Sequence, residues 1–431
     1  VALPGIVFLI VGLLASVGLH ELGHLIPAKR FGVKVSQYFI GFGPTLWSRK
    51  SRGTEYGIKA IPLGGYVRIA GMLAPGRPDR VRVRRNGTVT LAEEARQASA
   101  EELAPSEQSQ AFWRLNPARR LVVMFGGPVM NLVLAGACLA IVLGVIGQAT
   151  PSNQVYAVVP CATDTGTCEE DATVSPASAA GIQVGDVIVS WNGEKMALWS
   201  DVQRAIASGG TRTATVVVER GGQDVTLSVT PILLERTVYD ASGNPVTDSA
   251  GNTTTQETPY VGISPAYTNV RQPLTAVPGT LWSLTVATAR VIAELPQQLW
   301  TTTASLFTGA SRDANGVVGV VGVADLAGRI TSTDAASYST SARIGDLFSL
   351  LASLNISLFV FNLIPLLPLD GGHIAGAIFE AVRRNWAEMR GKADPGPVDM
   401  ARLMPLSYAV ALAFIVMTVI LVIADIVNPA F

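Results

Sequence analysis

Four stretches of this chain stay apolar for the length of a bilayer span, and polar or alternating segments fill the intervals. The spans fall at residues 1–28, 120–147, 346–369 and 404–427, each close to the twenty or so residues that a hydrocarbon core requires. Residues 33–72 alternate apolar and polar positions with glycines at the corners, as short strands do. The Ile61 to Tyr66 stretch is too apolar and too rich in Gly and Pro for a solvated connector, so this region reads as a membrane-associated β-hairpin or sheet. Residues 73–118, with Arg77 to Arg85 and then an Ala/Glu/Ser/Gln tract, read as a flexible insert whose basic part rests on anionic lipid.

The largest polar block is 150–270. It contains a helical stretch around Asp201 to Ala207 and strands at Thr213 to Glu219 and Val225 to Val229. Residues 275–345 begin with an apolar stretch that carries Trp282, Arg290, Glu294 and Trp300. Charges in its middle argue against a span and for an amphipathic helix at the interface. The Gly- and Val-rich Gly316 to Gly328 reads as a further loop or helix facing the membrane. The fold class expected is an α-helical polytopic membrane protein with four transmembrane helices, a membrane-associated sheet and one inserted α+β domain.

Composition agrees. The chain has 431 residues, 49% hydrophobic and 15% charged, too apolar for an ordinary soluble protein and too charged in its middle to be membrane throughout. Its net charge of zero speaks against nucleic acid as a partner. Lys and Arg number 17 in 29–120 and 5 in 371–402, against 10 in 148–345. Weighted to the short loops beside the spans, that distribution puts 29–120 and the 370–403 segment in the cytoplasm. Both termini and the 150–270 block then lie outside. No positive region precedes the first span, so it does not read as a cleaved signal peptide. The preference for Arg over Lys, with abundant Ala, Gly and Val, fits a GC-rich bacterial genome.

The candidate chemistry sits at the end of the first span, in His20-Glu21-Leu22-Gly23-His24. Residues four apart share a helix face, so His20 and His24 can direct two imidazoles at one cation with Glu21 beside them. That is the H-E-x-x-H arrangement of two zinc ligands and a general base. Zinc in an open site lowers the pKa of its water to about 7. A lone match of five residues also arises by chance in ordinary helices. Here two of only three histidines in the chain fall in the motif, and a carboxylate within a span is costly unless it has a function.

A third ligand is needed, and Asp370 offers it. It follows the apolar run Leu347 to Ile364, with Pro365 and Pro368 breaking the helix ahead and Gly371 and Gly372 behind. Broken helix in a membrane requires protein or a polar cavity around it. Asn362 reads as an oxyanion donor or as a bridge between helices. His373 more simply makes a local hydrogen bond. A metal-binding scaffold or a transporter would use similar residues, although no internal repeat of the transporter kind is present.

These motifs together resemble the site-2 protease family of intramembrane zinc metalloproteases. They are His20 to His24, Asn362, and Pro365 through Leu369-Asp370-Gly371-Gly372. Gly41-Phe42-Gly43-Pro44, Ile61-Pro62-Leu63-Gly64-Gly65-Tyr66-Val67 and Gly127-Pro128-Val129-Met130-Asn131 are similar to its bacterial RseP-type branch. Pro368 lies one position later than in many relatives. The resemblance implies Zn2+ held by His20, His24 and Asp370, with Glu21 and Asn362 catalytic. It implies substrate contacts at Gly64, Gly65 and Tyr66, where a sheet edge pairs with an extended substrate, and at Asn131 and Gly371; Asn131, inside a span, reads equally as a hydrogen bond between helices. The implied substrate is a single-span membrane protein, an anti-sigma factor above all, already shortened by a site-1 protease in regulated intramembrane proteolysis. The implied place is the bacterial inner membrane.

Within the outer block, Ala179-Ala180-Gly181, Gly185-Asp186-Val187-Ile188 and Asn192-Gly193 are similar to a PDZ domain. Either it captures peptide by strand addition or it filters access by size. One such unit is present where some relatives have two. Cys161 and Cys168 face the oxidising side in this topology and are expected to form a disulfide. Cys138 reads as a packing residue.

Overall fold

The structure, a computed structural model, describes all residues except 1–2, 76–88, 163–167, 169–172, 239–252, 309–311, 313–315, 333–338 and 430–431. The chain divides into two compact units, one of residues 1–145 with 273–431, the other of 146–272.

The first unit opens with α1 (Leu3–Arg30) and continues into the long strands β1 (Val35–Ser51) and β2 (Thr54–Ile69). Ser51 opposes Thr54 at the hairpin turn, and further back Phe39 lies between Tyr66 on one side and Gly57 on the other. Residues 65–69 thereby end as an outer segment of this small sheet. Next come α2 (Leu91–Glu101) and α3 (Pro117–Ala140), which runs on as a π-helical stretch to Ile146. After the second unit follow α6 (Val277–Thr308), α7 (Val320–Ser332), α8 (Thr340–Asn362), α9 (Asp370–Met389) and α10 (Met404–Val427).

Side-chain contacts give the helix directions. Phe8 meets Phe348 edge-on at 5.3 Å, and Ser16 accepts from the buried Asn355 amide at 2.9 Å, so α1 and α8 run parallel. A buried amide of this kind ties two apolar helices where lipid offers no hydrophobic drive. His20 lies beside Asn131 and His24 beside Val123, so α3 runs antiparallel to α1. The two helices touch at glycine: a Cβ on Gly23 would lie 2.2 Å from the Gly126 carbonyl oxygen.

Among the described residues five helices are long and apolar enough to cross a bilayer, the fifth being Leu274–Thr308. Its ends decide how it lies. Leu274 packs on Gly144 at the C-terminal end of α3, and Ser305 is within 3.5 Å of Asn428, just past the C-terminal end of α10. α10 starts beside His20 and Asp370, at Met404 and Tyr408. It ends with Asp425 against Gly319 and Gly322 at the start of α7, a helix whose Ala327 abuts Gly5 of α1. The C-terminal ends of α3 and α10 are therefore on one side, and α6 begins and ends there.

Two expectations are corrected. The 73–118 insert is not flexible throughout. Arg77 to Arg85 lie outside the described residues, but from residue 89 onward the segment is folded and docked. Leu103 and Ala111 pack on Ala70, Lys34 pairs with Glu107 at 2.5 Å, and Arg68 pairs with Glu102 at 2.9 Å. Arg96 joins Glu93 and Asp399, each at 2.6 Å. The third apolar helix also ends earlier than expected, at Asn362, and what reads as a cytoplasmic segment starts with the twenty residues of α9. The Gly- and Val-rich segment becomes part of α7.

The second unit runs through β3 (Gln148–Val158), α4 (Pro176–Ala180), β4 (Val187–Trp191), β5 (Glu194–Lys195), α5 (Trp199–Gly209), β6 (Ala214–Arg220) and β7 (Gln223–Val229). It closes with β8 (Ile232–Thr237), β9 (Thr255–Tyr260) and β10 (Ile263–Val270). The main sheet has the order β10-β3-β4-β6-β7, with β5 on β4, while β8 and β9 form a separate hairpin. Ala214, Val216 and Val218 alternate inward on β6 and bury against Ile188, Trp191 and Val202.

Candidate functional site

Three donor atoms converge where α1, α3 and the start of α9 meet. The Nε2 atoms of His20 and His24 are 3.3 Å apart, and each is 3.3 Å from Asp370 Oδ2. Equal edges of that length are those of a tetrahedron whose centre lies about 2.0–2.1 Å from each corner, the zinc distance to nitrogen and carboxylate oxygen. Gly127 leaves the centre open. A Cβ there would fall 2.2 Å from His24 Nε2 and 2.7 Å from His20 Nε2, in the place a cation needs. Asp370 Oδ2 is buried, and no donor among the described residues meets it with hydrogen-bond geometry. The residues fit zinc.

Both imidazoles are held from behind. His24 Nδ1 lies 2.8 Å from the Val123 carbonyl oxygen, which accepts its proton and leaves Nε2 as the lone-pair end. His20 Nδ1 lies 3.0 Å from the Asn131 amide. The amide end placed there is Nδ2, and Oδ1 is left buried without a partner among the described residues; with Nε2 directed at a cation Nδ1 carries the proton, so the amide turned over, its oxygen accepting, satisfies both groups. Asn131 is 1% exposed. It joins α3 to α1 through His20, the inter-helix hydrogen bond that an amide in a span offers.

Gly371 is buried, and a Cβ on it would lie 2.1 Å from the Ile364 carbonyl oxygen, so it allows the tight turn that leads Asp370 into α9.

Glu21, Tyr66 and Asn362 line a cavity of about 670 Å³ together with the three donors. Residues 66–69 of β2 form part of its wall. Gly65 has its Cα face toward Glu21, where a Cβ would sit 3.5 Å from Glu21 Cγ. Gly64, with φ of 94°, takes the turn into this segment beneath Phe42. α2 supplies a further wall through Ala95, Ala98 and Ser99, a contribution its low apolar content does not announce. His373 also faces the cavity. Burial pushes its imidazole down to about 4.

In the second unit, Cys161 and Cys168 are brought together as a disulfide with Cα atoms 5.7 Å apart. A cavity of about 460 Å³ lies between α5, at Trp199 and Ile206, and the Tyr260 to Ser264 segment that starts the edge strand β10. Asp186 is 1% exposed and accepts two bonds of 2.8 Å from Arg220, whose guanidinium holds its carboxyl below the usual range. Cys138 is free and buried in α3.

Sequence reasoning missed what has no side-chain signature. The Val123 carbonyl is backbone, and Gly127 is named only as part of a resembling motif.

Comparison with known proteins agrees with this geometry. Residues 8–404 match the model of Peptidase family M50. Zinc metalloprotease Rip1 of Mycobacterium tuberculosis is 31% identical over 431 residues, spanning 99% of this chain and 98% of that protein. Zinc metalloprotease Rip1 of Mycolicibacterium smegmatis is 33% identical over 442 residues, with the same coverage. Metalloprotease MmpA of Caulobacter vibrioides is 29% identical over 380 residues, spanning 85% of this chain and 84% of its own length. A donor set that fits zinc, a carboxylate beside it and a match along nearly the whole chain lead to one conclusion: the chain belongs to peptidase family M50, the site-2 proteases, and is a zinc metalloprotease.

Proposed function

We propose that this protease cleaves the transmembrane segments of single-span membrane proteins, with His20, His24 and Asp370 holding the zinc. The observation that carries the reading is the cavity. It joins the three donors, Glu21 and an outer strand segment within a bundle of apolar helices. When bound, zinc polarises water and the scissile carbonyl so that addition proceeds at neutral pH. Glu21 takes the proton from the attacking water and returns it to the departing amide nitrogen. The Asn362 amide donates to the oxygen that gains charge. Residues 65–69 pair with the unwound substrate backbone, which replaces hydrogen bonds that the substrate helix gives up in lipid.

Anti-sigma factors trimmed by a site-1 protease are the substrates this reading favours, in regulated intramembrane proteolysis. The second unit acts as a PDZ-like module. Its edge strand β10, facing α5 across a groove, supports capture of an extended segment by strand addition. In this reading four helices cross the inner membrane, α1, α3, α8 and α10; the contacts of Leu274 with Gly144 and of Ser305 with Asn428 support an α6 that returns to the outer side. A membrane-impermeant maleimide should therefore label Trp282→Cys and Trp300→Cys from outside and Lys392→Cys only after permeabilisation. Labelling of Trp300→Cys solely from inside would make α6 a span.

The function is tested in cells carrying Glu21→Gln. The variant should keep its zinc while shortened single-span proteins accumulate in the membrane. No accumulation with the upstream protease active, and zinc retained, would instead favour a metal-binding scaffold.

A further inference from the structure

One face of α3 touches everything that holds the three donors. Asn131 meets His20, the Val123 carbonyl meets His24, and Gly127 lies under both rings. The spacing 120, 123, 127, 131 keeps to a single helix face. Its first member, Arg120, forms an ion pair with Glu380 of α9. Glu380 is fully buried at 0% exposure, and Arg120 is 7% exposed.

Glu380 belongs to the helix that begins with Asp370. The buried positions of α9 are Gly371, Gly372, Ile374, Ala377 and Glu380, one stripe turned toward its neighbours. Asp370 is the first residue of α9, and among the described residues its buried Oδ2 meets only the two imidazoles it converges with, so its placement follows that of the helix end. Glu380 is engaged on every side. Besides Arg120, it accepts from Arg384 at 3.0 Å and from the Val398 backbone N–H at 2.9 Å. A buried carboxylate satisfied in this way cannot slide or rotate without leaving a charge unpaired. The axial setting of α9 is thus fixed against α3.

We propose that Arg120 and Glu380 are positioning residues for the zinc site, the clamp that sets Asp370 as Asn131 sets His20 and Val123 sets His24. α3 then carries one clamp for each ligand. The inference rests on the ligand assignment proposed above.

The test uses the purified full chain in lipid nanodiscs, with competitive zinc titration and, separately, the visible spectrum of the cobalt(II)-loaded protein. Asp370→Ala serves as the reference and should abolish tight zinc binding; if it does not, the ligand assignment fails before the clamp is in question. Glu380→Gln should weaken zinc binding by about tenfold or more, the range for groups that orient ligands, and shift the cobalt bands. Arg120→Lys keeps the charge but loses the forked geometry, so it should remain folded and weaken binding by a smaller factor. Exchanging the pair, Arg120→Glu with Glu380→Arg, should recover most of the loss. Glu388→Gln, an exposed carboxylate on the same helix that takes no part in the clamp, should stay within about twofold of wild type. Wild-type zinc affinity and cobalt bands in folded Arg120→Lys and Glu380→Gln would overturn the proposal. So would an equal loss in Glu388→Gln, since that would make the effect one of general charge.

Discussion

At the scale of residues, the site is defined as much by what is left out as by what is present. Gly127 contributes nothing but space, and any side chain there collides with the metal-facing ends of both imidazoles. Gly127→Ala should therefore lose zinc while the helices remain assembled, measured as metal per chain beside the circular dichroism of the same sample. Retention of one zinc per chain would mean that the donors converge elsewhere. His20, Glu21, His24 and Asp370 were legible in the sequence because their chemistry is rare in apolar surroundings. Asn131 was legible as important but not as a support for His20, since an amide in a span has several equally good uses. Arg120 and Glu380 looked like ordinary flanking charges, and only their burial sets them apart.

At the scale of elements, periodicity identified the apolar helices well and the polar ones poorly. α10 lies where its apolar run does, from Met404 to Val427. α2 has little apolar surface, and it is held instead by Arg96 to Asp399 and Glu102 to Arg68, partners far away in the chain. Such pairings leave no local trace, so a tract that composition assigns to disorder is folded. The same principle works inside the second unit, where Arg220 of β6 grips Asp186 ahead of β4. Because Arg220 holds the Asp186 carboxyl below its ordinary value, the pair stabilises fully above about pH 4 and fades as pH falls below it. Asp186→Asn should cost about 2–3 kcal/mol, since one partner is buried and the other partly solvated. Hydrogen exchange of the β4 and β6 amides in the full chain should be faster in the variant near neutral pH and converge with wild type in acid. A constant difference across that range would place the strength of this contact elsewhere.

At the scale of the whole molecule, zinc chemistry needs a fixed cage while proteolysis of a helix in lipid needs surroundings that yield. The contacts on α3 reconcile the two. Because the supports of all three ligands are referenced to one helix, a tilt of that helix carries the cage along as a solid object and leaves its internal distances unchanged. A bilayer that is too thin or too thick acts on apolar helices by tilting them. The metal centre is thus mechanically insulated from lipid thickness, whereas a substrate helix entering from the lipid has no such reference and meets the centre at a depth that the bilayer sets. Zinc affinity should hold steady across nanodiscs of short, medium and long acyl chains while the cleavage rate of a single-span substrate passes through a maximum. A parallel loss of both would mean that the membrane reaches the metal directly.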